Sequence, residues 1–197
     1  MADFSDRQIE IMEAATRRID RYGIQELTIK NLSGDIGLSE AALYRHFKSK
    51  NDILLGLLTY FMQEMNRRVE AIVAKENKKP ADRLRELFSS QLNTFTQKPS
   101  IVSVIFSEGI FQFNRELSAA VAEMMESMHT VIDAFVKEGQ DAGSITRHVG
   151  HYTLATIIMG SMRITVLKWK ISGHKSDLIK DGSKVLNGLL KMIEKAD

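Results

Sequence analysis

Between Ala41 and Asn51 the chain carries Tyr44, Arg45, His46, Lys48 and Lys50, and not one acidic residue. Arginine and lysine at such density pair with phosphate oxygens or with the acceptor edge of guanine, and a tyrosine hydroxyl can donate to phosphate. The chemistry on offer is nucleic-acid recognition, with a solvated basic face on a helical hairpin as the plain alternative. Other chemistries find less support. The 197 residues include no cysteine, which removes disulfides, thiolate metal sites and cysteine nucleophiles. His148 and His151 have a spacing that can hold metal, but no third histidine, thiol or suitably spaced carboxylate accompanies them. They read as solvated or capping residues. No G-x-S-x-G run, phosphate-binding loop or dinucleotide fingerprint occurs. No catalytic residue, metal or cofactor is expected, and the chain reads as not an enzyme.

Two short helices must position the cationic residues. Ile29, Leu32 and Ile36 fall at i, i+3 and i+7, one apolar stripe of a helix. Gly37 stands where a helix end wants positive φ, and Ser39 is an N-cap candidate for a second helix over Glu40–Phe47. In that second helix Leu43 and Phe47 face inward, which leaves Tyr44, Arg45 and Lys48 outside with His46 at the edge. A preceding helix, Ser5–Tyr22, repeats Ile9, Met12, Ala15 (or Thr16) and Ile19 at helical spacing and ends at Gly23. It covers the hairpin, which is too short to bury a core alone.

The run T-I-x-x-L-x-x-x-x-G-x-S-x-x-x-L-Y-x-x-F-x-x-K, carried by Thr28, Ile29, Leu32, Gly37, Ser39, Leu43, Tyr44, Phe47 and Lys50, resembles the DNA-binding domain of the TetR family of bacterial transcriptional regulators. Tyr22-Gly23 and Asp52-Ile53-Leu54 resemble the end of that family's first helix and the start of its fourth. The likeness covers about the first 60 residues; beyond them only length and helical character agree. It implies an all-α fold of about nine helices. A three-helix helix-turn-helix domain, residues 1–50, would stand on a helical effector-binding and dimerisation domain, residues 51–197. It also implies that Glu40, Ala41, Ala42, Arg45 and His46 face base edges and that Lys30 reaches a base or phosphate. Thr28, Tyr44, Lys48 and Lys50 would hold phosphates, and Ser39 completes the DNA-binding set.

Composition agrees with a helical protein: two prolines, 44% hydrophobic residues, and no stretch with strand alternation. The net charge of +2 gives no broad attraction to DNA. Residues 1–50 hold eight Lys/Arg and eight Asp/Glu, so phosphate attraction must come locally from Lys30, Arg45, Lys48 and Lys50. The polar N-terminus lacks the pattern of a signal peptide, and the most apolar run, His151–Leu167, contains Arg163 and is short for a membrane span. No membrane partner and a cytoplasmic location are expected.

From Asn51 to about Lys75 the pattern is one long helix with Ile53, Leu57, Tyr60, Phe61, Met65 and Val69 inward. Further helices are expected over Pro80–Gln97, Pro99–Ser107, Arg115–Asp141, His148–Ile171 and Ser176–Glu194. Ser107–Asn114, with Gly109, Ile110, Phe111 and Phe113, reads as a helix-breaking segment. The last two helices carry more apolar surface than a monomer needs, and Ala155, Gly160, Ser161, Gly182 and Gly188 would let helices approach closely. Family resemblance implies that these helices, about 148–171 and 176–194, form a homodimer interface. Phe61, Met65, Phe88, Phe95, Phe106, Phe111, Met125, His129, Met159 and Met162 are candidates to line the effector cavity that the resemblance implies. Plain core is the commoner use of such residues. Few charges on those faces suit an apolar or amphipathic effector, such as an acyl chain or an aromatic compound. The expected function is a repressor released from a palindromic operator by that effector. A helical interaction or ligand-carrier protein without DNA binding is the alternative.

Overall fold

Ser5 opens α1 (Asp6–Tyr22) with a reciprocal capping box: its hydroxyl accepts the Gln8 N–H at 3.3 Å, and Gln8 Oε1 accepts the Ser5 N–H at 3.0 Å. Ile11, Met12, Ala14, Ala15 and Ile19 form its buried face. Gly23, at φ 84°, ends it and leads into a 3₁₀ turn, Ile24–Glu26. The next elements are α2 (Ile29–Asp35), α3 (Glu40–Tyr44), α4 (Lys50–Val73), α5 (Pro80–Gln97) and α6 (Pro99–Ile105). Then come α7 (Arg115–Asp141), α8 (His151–Ile171) and α9 (Leu178–Ile193). This computed structural model describes residues 4–106 and 114–195. Among them are nine α-helices and no strand, only an isolated antiparallel bridge between Ile145 and Glu194.

The chain divides into two compact units, Met1–Glu64 with Lys98–Glu123, and Met65–Gln97 with Met124–Asp197. In the first, α1 packs on α2 and α6, and α2 packs on α3. Most expected helix bounds hold within a few residues. The second hairpin helix is shorter than expected: it ends as a helix at Tyr44, although the Phe47 N–H still reaches the Leu43 carbonyl at 3.1 Å. The long helix starts one residue early because Ser49, not Asn51, caps it. Ser49 Oγ accepts the Asp52 N–H at 3.1 Å, and Asp52 Oδ2 accepts the Lys48 N–H at 3.0 Å. The segment around Gly109, Ile110, Phe111 and Phe113 lies outside the described residues.

In the second unit α5, α8 and α9 share a core built from Leu84, Leu87, Phe88, Leu92, Leu154, Ile158, Leu186 and Leu190. Arg85 ties α5 to the end of α9 through Glu194 at 3.0 Å and Asn187 at 3.1 Å. The Thr146 N–H to Ile193 carbonyl bond (2.8 Å) then fastens the loop after α7 to the same end. Gly182 lets two helices approach closely, within the chain's own core. It is buried against α5, and a Cβ there would overlap Leu92 Cδ1. Overpacking a close-packed core costs about 1–3 kcal/mol. Gly182→Val should therefore lower the unfolding free energy by about 1–3 kcal/mol, read as a lower urea midpoint at unchanged m-value; an unchanged midpoint would contradict this packing.

Candidate nucleic-acid interface

The hairpin is fixed by caps that can be followed bond by bond. Thr28 Oγ1 accepts the Asn31 N–H at 3.1 Å to start α2. Gly37, at φ 65°, closes it with the Leu38 N–H on the Ser33 carbonyl (2.9 Å) and its own N–H on the Gly34 carbonyl (3.4 Å). This double bond pattern needs a left-handed residue, which glycine supplies without strain. Ser39 Oγ then accepts the Ala42 N–H at 3.1 Å to start α3. Leu43 (0% exposed) and Phe47 (5%) anchor the inner face.

Outside that anchor stand Glu40, Ala41, Tyr44, Arg45 and Lys48, all exposed, with Ala42 and His46 half-buried. Thr28, Lys30 and Ser39 are also exposed. Among the described residues no carboxylate pairs with the side chains of Lys30, Arg45 or Lys48, so three cations are left for an outside partner. Ala41 and Ala42 keep the face low, so backbone and neighbouring side chains can come close to another surface. Lys50 behaves differently. Its ammonium donates to the Ile24 carbonyl at 2.8 Å and is half-buried. Burial pushes its pKa down, and the Glu26 carboxylate works against that shift.

Residues that sequence spacing leaves unassigned hold this face in place. The Arg18 guanidinium donates to both Asp35 carboxylate oxygens (2.9 and 2.7 Å) and to the Glu26 carbonyl (2.7 Å), so one α1 side chain grips the end of α2 and the turn before it. Gly56 of α4 sits where a Cβ would meet Met12 Sδ and Phe47 Cε1, both at 3.1 Å. It lets the recognition-helix anchor and α1 close onto α4. The only sequence signal for either is a glycine within a helix and an arginine beside a helix end; the partners are set by the tertiary fold.

The expected effector residues fall into both units. Phe61 (1% exposed) and half-buried Phe106 belong to the first. Met65, Phe88, Phe95, Met125, His129, Met159 and Met162 belong to the second, and Phe111 lies outside the described residues. Met65, Phe88 and Phe95 are buried, whereas Met125 is 39% exposed. His129 Nε2 lies 3.0 Å from Thr156 Oγ1, and His151 Nδ1 lies 2.6 Å from Asp133 Oδ1. His151 is thus neither solvated alone nor a cap: the cap position is Gly150 and makes no side-chain bond. Within the first unit, α1, α4 and α6 enclose a cleft of about 320 Å³ floored by Met12, Leu57, Phe61 and Ile101. Glu13, Arg17 and the Glu64–Lys98 pair (2.6 Å) rim it, so the charges cancel and select no ion.

A capped two-helix hairpin on a third helix, with unpaired cations on α2 and just past the end of α3, defines a helix-turn-helix DNA-binding transcriptional regulator. Residues 11–57 match the family model described as bacterial regulatory proteins, tetR family, and residues 60–192 match that of the YsiA-like protein C-terminal region. The chain belongs to the TetR family. It is 24% identical over 187 residues to the fatty acid metabolism regulator protein of Bacillus subtilis (strain 168), spanning 95% of both chains. It is 26% identical over 172 residues to the nucleoid occlusion factor SlmA of Vibrio vulnificus (strain YJ016), 87% of each. The solved structure of FadR from Bacillus subtilis in complex with stearoyl-CoA superposes with a TM-score of 0.78 at 24% identity, covering 92% of this chain and 97% of that one. No helix among the described residues is long and apolar enough to cross a membrane.

The close approach at Gly56 gives a direct test of how the face is positioned. Gly56→Val should displace Phe47 and lower operator affinity at least tenfold while the protein stays helical by circular dichroism. Fluorescence anisotropy with a labelled duplex measures it, and an unchanged affinity would contradict the packing described.

Proposed function

We propose that two copies of this chain bind a palindromic operator through α3 and the start of α2, and lower transcription from it. What carries this reading is the set of three unpaired cations, Lys30, Arg45 and Lys48, on a face whose inner residues are locked. In this reading Arg45 and His46 meet base edges beside Ala41 and Ala42. Glu40 can accept from a cytosine amino group, and Lys30 serves a base or a phosphate. Thr28, with its own hydroxyl proton still free to donate, joins Tyr44 and Lys48 at the phosphates. Ser39 sets the height of α3. Residues 1–50 are then the reading head and 51–197 the effector-binding and dimerisation part. The protein acts in the cytoplasm by binding, not by catalysis.

The homodimer rests on an unpartnered stripe. Ile157, Gly160, Ile164 and Ile171 of α8 are exposed at spacings of three, four and seven, and so are Val185, Gly188 and Met192 of α9. Gly160 and Gly188 face open space, unlike Gly182. A two-fold pair of α8–α9 hairpins closes this stripe and can set two reading heads at the roughly 34–36 Å that successive major-groove faces require.

The effector we assign is an acyl thioester with a long apolar chain. Buried Met65, Phe88, Phe95 and Met162 supply apolar, adaptable surface in the second unit. The likeness to a fatty acid regulator and to a stearoyl-CoA complex points the same way. Release follows if the effector binds more tightly to a conformation with low operator affinity, and α4, continuous from Lys50 to Val73, covalently joins the end of the reading head to the effector part.

Three measurements check these statements. Arg45→Ala should relax specificity at one base position by about 1–3 kcal/mol in a binding-site selection. Ile164→Asp should turn the dimer into a monomer in sedimentation equilibrium; a wild-type monomer would remove the dimer reading. Stearoyl-CoA, and not free coenzyme A, should release the DNA upstream of the protein's own gene in a gel-shift titration. Absence of any shift without effector would contradict the DNA-binding reading itself.

A further inference from the structure

All the residues that line the cleft between α1, α4 and α6 belong to the first unit. Its volume, about 320 Å³, is at the small end for a ligand pocket and suits a compact ring system better than a long acyl chain. Met12, Leu57, Phe61 and Ile101 give it a buried apolar floor. Half-buried Tyr60 adds an aromatic wall, held by the edge of Phe4 (6.3 Å between ring centres) and by Lys98 Nζ, 5.9 Å from its own centre. A thioether beside aromatic rings favours a flat aromatic occupant. Thr16 lines the same cleft. Its hydroxyl proton goes to the Met12 carbonyl at 2.9 Å, so the oxygen is left as an acceptor. At the mouth Lys98 is paired with Glu64 at 2.6 Å, and Glu13 stands one turn from Arg17. An anion or a cation entering there meets a like charge as well as an unlike one.

Met12 has a second role. Its sulfur approaches Gly56 so closely that a Cβ there would lie 3.1 Å away, and Phe47 Cε1 approaches the same point at 3.1 Å. The floor of the cleft is therefore also part of the seat that anchors α3. We propose that this cleft is a binding site for a neutral aromatic molecule carrying one hydroxyl or N–H donor, distinct from the apolar site assigned to the second unit, and that its occupant weakens operator binding through Met12. The ring rests on Met12 and Phe61, and the donor gives its proton to Thr16 Oγ1. In a close-packed interior Met12 cannot yield without moving its neighbours, and those neighbours include the anchor of the reading face.

The effect on operator affinity rests on the DNA-binding reading above; binding to the cleft does not, and the experiment separates the two. β-Naphthol, a neutral fused ring with one hydroxyl, is titrated into the full chain carrying isotope-labelled methionine methyl groups and followed by NMR. The Met12 signal, identified by its loss in Met12→Leu, should shift and saturate, while those of Met65, Met124, Met128 and Met162 in the second unit stay in place. Thr16→Phe, which puts a ring of the chain's own into the cleft, should weaken the probe by about tenfold or more. Should that variant fail to fold, Ile9→Trp at the half-buried edge of the cleft takes its place. No saturable Met12 shift, a shift confined to the second unit, or equal affinity in the filled variant overturns the site. In fluorescence anisotropy the probe should weaken operator binding several-fold in wild type and have no effect on the filled variant. Operator affinity that ignores a bound probe overturns the link through Met12. Wild type that binds no operator at all fails the DNA-binding reading, and the NMR titration still decides the site.

Discussion

A helix of five residues has no stability of its own. Nucleation fixes three residues for the first hydrogen bond, and isolated helices shorter than about 12–15 residues are marginal in water. The helix Glu40–Tyr44 exists because Leu43 and Phe47 are pressed into an apolar seat, and because Ser39 and the Gly37 turn fix its start. The rest of the first unit can be read as the means of providing that seat. α1 supplies Met12, α4 supplies the space at Gly56, and Arg18 prevents α2 from swinging away. A short helix seated in this way has a practical merit: its whole outer surface is free, since no part is needed for its own packing.

The electrostatics follow the same economy. Equal numbers of acidic and basic residues in positions 1–50 leave no domain-wide field to draw in DNA. Several of those charges are engaged with one another, as Arg7 with Glu10 (2.5 Å) and Arg18 with Asp35 (2.7 Å). Of the cations left over, Arg17 and Arg21 lie on α1, and Lys30, Arg45 and Lys48 belong to the hairpin. Over a Debye length of about 8 Å in physiological salt, only that local set is felt by a phosphate. Such an arrangement favours a bound state defined by contact geometry over loose accumulation along the duplex.

The hairpin was legible in the sequence because its determinants are local: Thr28, Gly37 and Ser39 act on backbone within a few residues, and Leu43 and Phe47 fall on one helical face. What escaped depends on residues far apart in the chain. Gly56 matters through Met12 and Phe47, Gly182 through Leu92, and His151 through Asp133. Lys50 and Lys48 look alike in sequence; only the fold brings the Ile24 carbonyl to one of them. Met and Phe spacing in the second half likewise could not separate lining from core, and Met125 turns out to face solvent.

Operator binding requires that the outer face of α3 and the start of α2 meet the duplex. Backbone hydrogen exchange, followed by mass spectrometry with and without operator DNA, tests this most directly. Exchange should slow in peptides spanning 28–50, with no comparable change in peptides confined to the first two turns of α1. Unchanged exchange over 28–50 in a saturated DNA complex, with protection elsewhere, would contradict it.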